Sequence, residues 1–482
     1  MQVTELRYHS PISSKKIEFA SKIHEEVYDH VVIGGGAAGL ASAEIAARKG
    51  LKVILIEKSD RLGGNADSML LPNGMLVPKG SSVFGPGAHP KANDYVTETL
   101  GIPLNHYPIY PGYVILSPTK RLSFDPLNYS SSEELSHGLE ITQFAYDLRK
   151  KLGFPSNGHR IDHSVRDNPH LLRYDTDPIQ HFKDTKPTLM NLVKPWSRSD
   201  TNLPYTHVSP LALEYDIASY LQLDTTTMVP GGNHSILKEI ESRLRKNANV
   251  TILTHTNVLE LKDTKKGNRP IQLKIKDGLG TERYITAKQA HIAAGPRAIP
   301  KLFSDLPANQ KGILNNSFSQ GPYILVGLVL NTEKTGTPLL SQRFFFCASP
   351  AAKYIADGAL INEQYNQNMF VKTKSPSVFA CYAPIPMSQW KNPPSPKTLV
   401  KRVKAEVLLH LPEIKKAGIK DVYFKYYPKG ILAPRPGEVA KIHQVPEQLS
   451  PNIRWIDASA SGMASSFSLA LHGAIRAFDQ KK

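Results

Sequence analysis

Two β-branched runs near the start of the chain are separated by a segment of small residues. The first, YDHVVIGGG, contains the run 31–33 and leads into glycines, and the second, KVILIEK, ends at Glu57. The intervening AAGLASAEIAARKG is rich in alanine and closes at Gly50. Short β-branched runs are typical of buried strands, and the alanine-rich segment has a helical composition. The pattern therefore predicts a strand–turn–helix–strand unit.

The turn of this unit has the spacing G-x-G-x-x-G. Gly34 permits the tight turn out of the strand, Gly36 lets the backbone approach a pyrophosphate, and Gly39 lets the helix pack closely on the strand. The helix N-terminus offers free N–H groups and its positive dipole end to phosphates. Glu57, 18 residues after Gly39, can accept hydrogen bonds from a ribose diol, and its charge disfavours a 2′-phosphate. The unit predicts a dinucleotide site, and the alternative is a purely structural glycine turn.

Apolar runs of strand length return between residues 306 and 444. The segments GPYILVGLVLNT, SQRFFFCA, PSVFACYAPI and DVYFKYYPKG predict strands, and PSPKTLVKRVKAEVLLHLPEIKK predicts an amphipathic helical stretch opened by prolines. Residues 150–210 are rich in Pro, His, Asn and Asp, and this composition predicts irregular loops. Such loops form either a rim or lid over a pocket or a poorly ordered surface insert.

Composition places the chain among ordinary globular proteins. It has 482 residues, enough for two or three domains, with 40% hydrophobic and 21% charged residues. No window reaches the roughly 20 apolar residues of a membrane helix. The N-terminus lacks the apolar segment of a secretory signal, so the cytoplasm is the default location. Cys347 and Cys381 lie in apolar stretches and are predicted to be buried core thiols.

Charge and histidine spacing narrow the range of partners. The formal net charge is +17, but the basic residues are scattered and form no RNA-binding signature, so no nucleic-acid partner is expected. Attraction to an acidic substrate, or peripheral contact with an anionic membrane surface, stays open. His159 and His163 have helical spacing, but Pro155 and Gly158 disfavour a helix there. No metal site is predicted.

Several segments resemble the flavin amine oxidoreductase superfamily, which includes amine oxidases, protoporphyrinogen oxidases, phytoene-type desaturases and certain fatty-acid isomerases. The resemblance begins in VVIGGGAAGL…VILIEKSDRLGGNA and continues, in order, in four later parts of the chain, between about 28 and 478. These are NGMLVPKGSSVFG, TMVPGGNHSILKEIESRLRK with the strands of VTILTHTNVLELK, AKQAHIAAGPRAIPKLF, and IRWIDASASGMASSFSLALHGAIRAF.

The resemblance implies an α/β fold with a discontinuous, Rossmann-like FAD-binding domain of the GR2 type and an inserted α+β substrate domain. The implied FAD-binding domain comprises residues 26–85, 226–305 and 445–482. The implied substrate domain comprises residues 86–225 and 306–444, and residues 1–25 form an N-terminal extension. The implied cofactor is non-covalent FAD, with no separate NAD(P) site.

The resemblance also assigns cofactor contacts to individual positions. A valine at the position of Val258 contacts the adenine through its backbone, and the N–H groups of Ser466 and Phe467 would stabilise negative charge on the reduced ring. The full set of implied cofactor contacts is Gly34, Gly36, Ala37, Ala38, Gly39, Glu57, Lys58, Arg61, Gly63, Gly64, Asn65, Ser81, Ser82, Val258, Ala294, Asp457, Ser466 and Phe467.

The chain departs from amine oxidases at several of these positions. Asn65 stands where amine oxidases have an arginine against the pyrophosphate, and the segment 317–331 lacks the lysine that they place near flavin N5. Ala470 replaces one of two aromatic residues that flank the flavin, and Tyr426 or Tyr427 could supply the other. These departures argue against amine oxidation and favour the branch that handles hydrophobic, unsaturated substrates. Tyr427 is the predicted pocket aromatic.

Two further departures concern the C-terminal segment. Asp457 is the nearest acid to the Gly-Glu or Gly-Asp pair of the family, and its carboxylate could reach the ribityl chain or a phosphate through water. His472 replaces an acidic family position.

The implied reaction is hydride transfer from a substrate C–H bond to flavin N5. The predicted substrate is a small organic or lipid-like molecule, and oxygen or another acceptor takes the electrons. One alternative is a redox-neutral isomerase or desaturase-like enzyme of unsaturated lipids. A second is a non-catalytic binding protein, because the Rab escort and GDP-dissociation-inhibitor proteins use a related fold without a flavin.

Overall fold

A computed structural model shows how these segments assemble. It describes residues 3–5, 27–71, 76–78, 80, 89–107, 113–123, 131–154, 164–220, 226–229, 232–265, 268, 270–331, 344–361, 378–463 and 466–479.

The first sheet contains the predicted strand–turn–helix–strand unit. Its strands run in the order β10-β3-β2-β13-β12-β11, with β22 beside the end of β13 and β21 beside β22. Strands β10, β3, β2 and β13 are parallel to one another, and β12 and β11 extend the sheet beyond β13 by antiparallel pairing. The strands are β2 (Val27–Ile33), β3 (Val53–Ile56), β10 (Val250–Leu253), β11 (Asn257–Asp263), β12 (Ile271–Lys276), β13 (Glu282–Ile292), β21 (Gln448–Ser450) and β22 (Ile453–Trp455).

Three helices share one hydrophobic core with the first sheet. They are α1 (Ala37–Arg48), α7 (Asn233–Lys246) and α13 (Phe467–Asp479). Leu40, Ile240 and Leu471 from these helices pack with Leu55 of β3. Small residues let α1 and α13 approach the sheet, since a Cβ at Gly473 would lie 2.6 Å from the Ile456 carbonyl oxygen. This close packing fixes where the N-termini of both helices lie.

The second sheet confirms the strands predicted between 306 and 444. Its order is β1-β19-β15-β18-β17-β16-β7-β8. The N-terminal strand β1 pairs in parallel with β19, a contact that the sequence analysis did not anticipate. The strands are β1 (Val3–Glu5), β7 (Tyr113–Ser117), β8 (Lys120–Ser123), β15 (Tyr323–Leu330), β16 (Phe344–Cys347), β17 (Asp357–Ile361), β18 (Val378–Pro384) and β19 (Ile419–Tyr427).

The amphipathic stretch that begins near residue 396 is helical, as predicted. It forms α10 (Pro396–His410) and α11 (Pro412–Ala417), and the break falls at Leu411 because Pro412 cannot continue the preceding hydrogen-bond ladder. Apolar residues of α10 pack on the second sheet, whose core includes both Cys347 and Cys381. Both thiols are free and buried, as predicted, and burial raises the pKa of Cys347 to about 11.

The prediction of irregular loops over residues 150–210 is wrong for the helical parts of this range. The segment contains α4 (Pro178–His181), α5 (Pro187–Thr201) and the start of α6 (Pro210–Tyr220). Each helix begins with a proline, whose fixed φ and missing N–H suit the first helical position. The Asp177 carboxylate also caps α4 by accepting from the N–H groups of Ile179 and Gln180. The prolines and aspartates therefore mark helix starts, while residues 155–163 lie outside the described ranges.

The remaining elements are short or connect the two sheets. Within the described ranges, no helix combines the length and apolarity needed to cross a membrane. The additional strand pairs are β4 (Ser68–Leu70) with β5 (Leu76–Pro78), β6 (Asn105–Tyr107) with β9 (Thr226–Met228), and β14 (Ser319–Gln320) with β20 (Leu432–Ala433). The additional helices are α2 (Pro90–Asp94), α3 (Ser132–Leu152), α8 (Ile299–Leu302), α9 (Ala308–Asn316) and α12 (Glu438–Ile442).

A buried histidine on β2 makes stability depend on pH. Neither ring nitrogen of His30 has a hydrogen-bond partner, and its ring lies 4.3 Å from that of His291. Burial lowers the pKa of His30 to about 4, so folding favours the neutral ring. The folded chain therefore keeps its full stability above the pKa of this histidine in the unfolded chain, about 6.5. It loses stability as the pH falls from there toward 4.

We expect His30→Leu to reduce the acid sensitivity of folding. Between pH 7.5 and 5 the wild type should lose about 2 kcal/mol of unfolding free energy more than the variant, because only the wild type must keep this ring neutral. Urea denaturation at the two pH values measures the difference. The control is His170→Leu, at an exposed position. Equal losses in the wild type and His30→Leu would contradict the prediction.

Candidate cofactor and substrate site

Of the three glycines of the G-x-G-x-x-G turn between β2 and α1, only one has empty space beside its Cα. Gly34 has a φ of +106°, and a Cβ there would lie 2.4 Å from the Ala293 carbonyl oxygen. A Cβ at Gly39 would lie 1.8 Å from the Gly34 carbonyl oxygen. At Gly36, by contrast, a Cβ would meet no atom within 4 Å. Gly34 and Gly39 are thus required by packing, whereas Gly36 borders empty space.

The start of α1 is free to bind an anion. Gly36 is the N-cap residue, no side chain caps the helix, and the first turn carries no acidic residue. The N–H groups of Ala37, Ala38 and Gly39 lack intrahelical acceptors because they belong to the first turn. Together with the positive end of the helix dipole, they favour a phosphate in the space above Gly36.

The loop after β3 packs against this turn. The Gly63 N–H donates to the Gly35 carbonyl oxygen (2.8 Å), and a Cβ at Gly64 would lie 3.2 Å from the Gly36 Cα. Gly63 and Gly64 both have positive φ, so they also meet the conformational demand of the loop. Asn65, next in sequence, is exposed.

A buried carboxylate holds this loop, and sequence reasoning missed it. Asp67 forms an ion pair with the Arg61 guanidinium and also accepts from His234 Nδ1 (2.8 Å) at the start of α7. The predicted cofactor residue Arg61 is therefore bound to Asp67 in this structure. The contact ties the loop to the start of α7, which lies far away in the sequence.

Glu57 is oriented by backbone donors at the end of β3. Its Oε2 accepts from the Gly35 N–H (2.6 Å) and its Oε1 from the Ser59 N–H (2.8 Å). Each carboxylate oxygen keeps a second lone pair for a ribose hydroxyl. The adjacent Lys58 is exposed.

Val258 and Ala294 lie near this first part of the site. The Thr256 N–H donates to the Glu57 carbonyl oxygen (3.0 Å), which brings the start of β11, and Val258 with it, close to Glu57. Ala294 follows β13, and its carbonyl oxygen accepts from Trp455 Nε1 (3.2 Å). The residues around the glycine turn, Glu57 and Val258 therefore fit the adenosine and pyrophosphate parts of a dinucleotide.

A second helix start lies at the C-terminal end of the chain. The Ser466 hydroxyl oxygen accepts from the Leu469 N–H (3.2 Å) and caps α13, whose first residue, Phe467, is buried. The N–H groups of Phe467 and Ser468 lack intrahelical acceptors by their position. Asp457 accepts from the Ser459 N–H (3.0 Å), and burial raises the pKa of its carboxyl. The start of α13 therefore lies at the same end of the chain as a buried acid, Asp457.

The predicted pocket aromatic, Tyr427, stacks on another tyrosine. The rings of Tyr427 and Tyr323 are nearly parallel, with centroids 4.5 Å apart. Adjacent residues of a strand face opposite sides, and Tyr426 packs with the core under α10. The structure thus separates the two candidates, and a separation of 4.5 Å leaves no room for a substrate between the stacked rings. Only the other face of Tyr427 can contact one.

The hydroxyl of Tyr323 lies near the loop after β3 that contains Gly63, Gly64 and Asn65. Its hydroxyl lies 3.9 Å from the position of a Cβ at Gly80, and that position is 3.2 Å from the Asn65 carbonyl oxygen. The sequence predicted the strand of Tyr323 and noted its lack of a lysine, but it assigned no role to Tyr323 itself. Cross-strand register, which pairs Tyr323 with Tyr427, brings the two rings together.

A pair of carboxyls on α5 and α6 was also missed by sequence reasoning. Asp216 accepts from Trp196 Nε1 (2.8 Å), and the Asp200 carboxyl lies beside it. Burial, and secondarily the Asp200 charge, raises the pKa of Asp216 well above its usual value. The available signal was a carboxylate within the otherwise apolar segment LALEYDIASY.

Some sequence-predicted positions cannot be placed. Ser81 and Ser82 lie outside the described ranges, as do His159 and His163. Among the residues that the structure does describe, no group of three or more His, Cys, Asp or Glu side chains is arranged to hold a metal ion.

Comparisons with known proteins agree with this geometry. The family of NAD(P)-binding Rossmann-like domains matches residues 32–99. Glutathione reductase of Schizosaccharomyces pombe is 64% identical over 39 residues, which span 8% of this chain and 8% of the reductase. The match to this curated relative therefore covers less than a tenth of either protein and falls far short of its full length.

Solved structures match over nearly the whole chain. A double mutant of putrescine oxidase has a TM-score of 0.69 at 15% identity, with 94% of this chain and 98% of that chain covered. A putative protoporphyrinogen oxidase from Exiguobacterium sp. 255-15 has a TM-score of 0.63 at 15% identity, with 95% and 98% covered. At this identity the likeness establishes the fold, and it confirms the predicted α/β architecture with a Rossmann-like domain.

Proposed function

We propose that this chain, which has the fold of the flavin amine oxidoreductase superfamily, is an FAD-dependent oxidoreductase. The observation that carries the proposal is the open space above Gly36, which borders an uncapped helix start and lies close to the oriented carboxylate of Glu57. A structural glycine turn would need neither feature. Bound FAD would supply a two-electron acceptor that takes hydride from a substrate C–H bond.

The chain's own residues bind and orient this cofactor. The N–H groups at the start of α1 bind the pyrophosphate, Glu57 binds the ribose diol, and the backbone of Val258 contacts the adenine. The N–H groups at the start of α13 stabilise negative charge at the ring. Binding is non-covalent in this proposal, and the domain division predicted from the sequence is retained.

The proposed substrate is small and apolar or lipid-like. One face of Tyr427 lies against its stacking partner, and Ala470 stands where amine oxidases place the second flanking aromatic residue. An amine held between these two aromatic positions is therefore disfavoured, whereas an apolar or unsaturated carbon chain is accommodated beside the small Ala470 side chain. Oxygen or another acceptor takes the electrons.

The visible absorption spectrum of the purified chain tests the proposal. We expect a flavin spectrum that stays with the protein on gel filtration and is released by acid precipitation, since the binding is non-covalent. A colourless protein that cannot be reconstituted with FAD would overturn the proposal and favour a non-catalytic binding protein of the same fold.

A redox-neutral isomerase of unsaturated lipids is the second candidate. The small Ala470 side chain also favours it, because an alanine in place of an aromatic residue leaves room for a flat, unsaturated chain. Turnover of such a lipid without consumption of oxygen or another acceptor would identify an isomerase. Consumption of one acceptor per product would identify an oxidoreductase.

The other face of Tyr427 is expected to contact the substrate. With a substrate identified by anaerobic bleaching of the flavin, Tyr427→Ala should lower kcat/KM about tenfold, because an aromatic contact of this kind contributes roughly 0.5–1.5 kcal/mol. Tyr427→Phe should keep most of the activity, since the ring remains. The control Tyr284→Ala changes an exposed tyrosine of the first sheet. An unchanged kcat/KM in Tyr427→Ala would remove this residue from the site.

A further inference from the structure

Two small cavities lie in a row along one side of α13. The first, of about 20 Å³, is lined by Asp457, His472 and Arg476 among others. The second, of about 10 Å³, is lined by Asp216, Ser466 and Ser468 among others. A volume of roughly 10–15 Å³ suffices for one water molecule where polar partners are present. Each cavity is therefore of the size of a single water.

The wall between the cavities contains a pair of stacked imidazoles. His89 and His472 are 2% and 7% exposed, and their ring centroids are 4.3 Å apart. His89 lines both cavities, and His472 lines the first. An imidazole can accept a proton at one nitrogen and release another from its second nitrogen, and its ordinary pKa lies near neutrality. His89 can therefore transfer a proton between the two cavities, and His472 can exchange a proton with the first.

The row has an inner and an outer end. The inner cavity reaches Ser466 and Ser468 at the start of α13, where the cofactor ring is proposed to lie, and it also contacts the Asp216 carboxyl. At the outer end, Arg476 donates to the Ser164 hydroxyl (2.7 Å) and pairs with the exposed Asp167 (2.9 Å). The two cavities thus extend from the buried helix start toward the surface.

The charged groups around the row come from several elements. Asp216 and Tyr215 face it from α6, Asp457, Arg454 and Glu447 from the β21–β22 region, and Arg476 from α13. Burial raises the pKa of both Asp216 and Asp457, which favours their protonated forms. A protonated carboxyl can donate to a water in the adjoining cavity.

We propose that His89 and His472, together with Asp216 and the two water-sized cavities, form a proton-transfer path between the start of α13 and the solvent beside Arg476. The proposal rests on the proposed function, because electron transfer at a closed site requires protons to enter or leave it. Each step moves one proton: a ring nitrogen accepts it from a water or carboxyl on one side, and the other ring nitrogen releases one to the next acceptor. No electron moves along the path, and solvent water supplies or receives the proton.

Photochemical reduction without substrate tests the path in the FAD-bound protein. A pH-indicator dye follows proton uptake while flavin bleaching follows reduction. We expect His89→Gln, His472→Gln and Asp216→Asn each to slow proton uptake at least about tenfold relative to bleaching, because each removes a relay group. Asp216→Asn keeps an acceptor for Trp196 and nearly the same shape. The matched control, His443→Gln, changes a histidine that bonds to the Ser461 carbonyl oxygen (2.9 Å) and lines neither cavity.

A measurement on the wild-type protein without cofactor separates failure of the path from failure of the proposed function. NMR saturation transfer from water reports how fast ring N–H protons exchange. We expect fast exchange at His89 and slow exchange at His30, which is equally buried but borders neither cavity. A colourless chain with fast exchange at His89 would defeat the FAD proposal and keep the path. Exchange at His89 as slow as at His30, or proton uptake in both histidine variants as fast as in the control, would overturn the path.

Discussion

Replacing Gly36 with valine is expected to abolish FAD binding while leaving the stability of the cofactor-free chain unchanged. The backbone at Gly36 has a φ of −75°, which valine adopts without strain, and a Cβ would meet no protein atom within 4 Å. The branched side chain would instead occupy the space proposed for the pyrophosphate. We expect at least a hundredfold weaker FAD binding, because the phosphates would lose the donors at the start of α1.

Visible absorption after gel filtration, and titration of the cofactor-free protein with FAD, measure this loss. The matched control is Gly312→Val, at a position in α9 where a Cβ also meets nothing within 4 Å. This variant should bind FAD like the wild type. If Gly36→Val copurified with a full complement of flavin, the pyrophosphate could not lie above this turn.

Replacing Gly39 with alanine is expected to destabilise the first sheet and its helices by about 3 kcal/mol or more, with or without cofactor. A Cβ there would lie 1.8 Å from the Gly34 carbonyl oxygen, so a backbone segment must move to relieve the clash. Alanine has the better helix propensity by about 1 kcal/mol, but this gain is smaller than the cost of separating α1 from the turn.

Chemical denaturation of the cofactor-free proteins measures this effect. Gly312→Ala serves as the control and should be equal to or more stable than the wild type, because it gains helix propensity without a clash. A Gly39→Ala variant as stable as the wild type would show that α1 does not pack this closely on the strand turn. The two glycine variants therefore distinguish a packing requirement at Gly39 from a ligand requirement at Gly36.

The order of elements could be predicted wherever local pattern determines structure. The β-branched runs of β2 and β3, the alanine-rich α1 and four strands of the second sheet, β15, β16, β18 and β19, were recognisable, since each has a periodicity and composition that favour one conformation. The positions of the glycines in the first turn were recognisable for the same reason: their spacing alone limits what the backbone can do.

Local pattern failed where one residue type has two uses. Prolines and aspartates in residues 150–210 were interpreted as loop residues, but several of them begin or cap helices here. Whether a proline ends one element or starts the next depends on the core that the following residues can reach. Trp196 and Leu192 of α5, for example, join a core with residues of α3 and α6.

The sequence by itself therefore determined the glycine turn, Glu57 and the strand and helix that close the chain, because these depend on neighbouring residues. The tertiary structure alone decided that Tyr427 stacks on Tyr323, that Asp67 binds both Arg61 and His234, and that His89 stacks on His472. These contacts join residues far apart in the chain. Cross-strand register and helix packing set such contacts, and neither can be derived from the spacing of residues along the sequence.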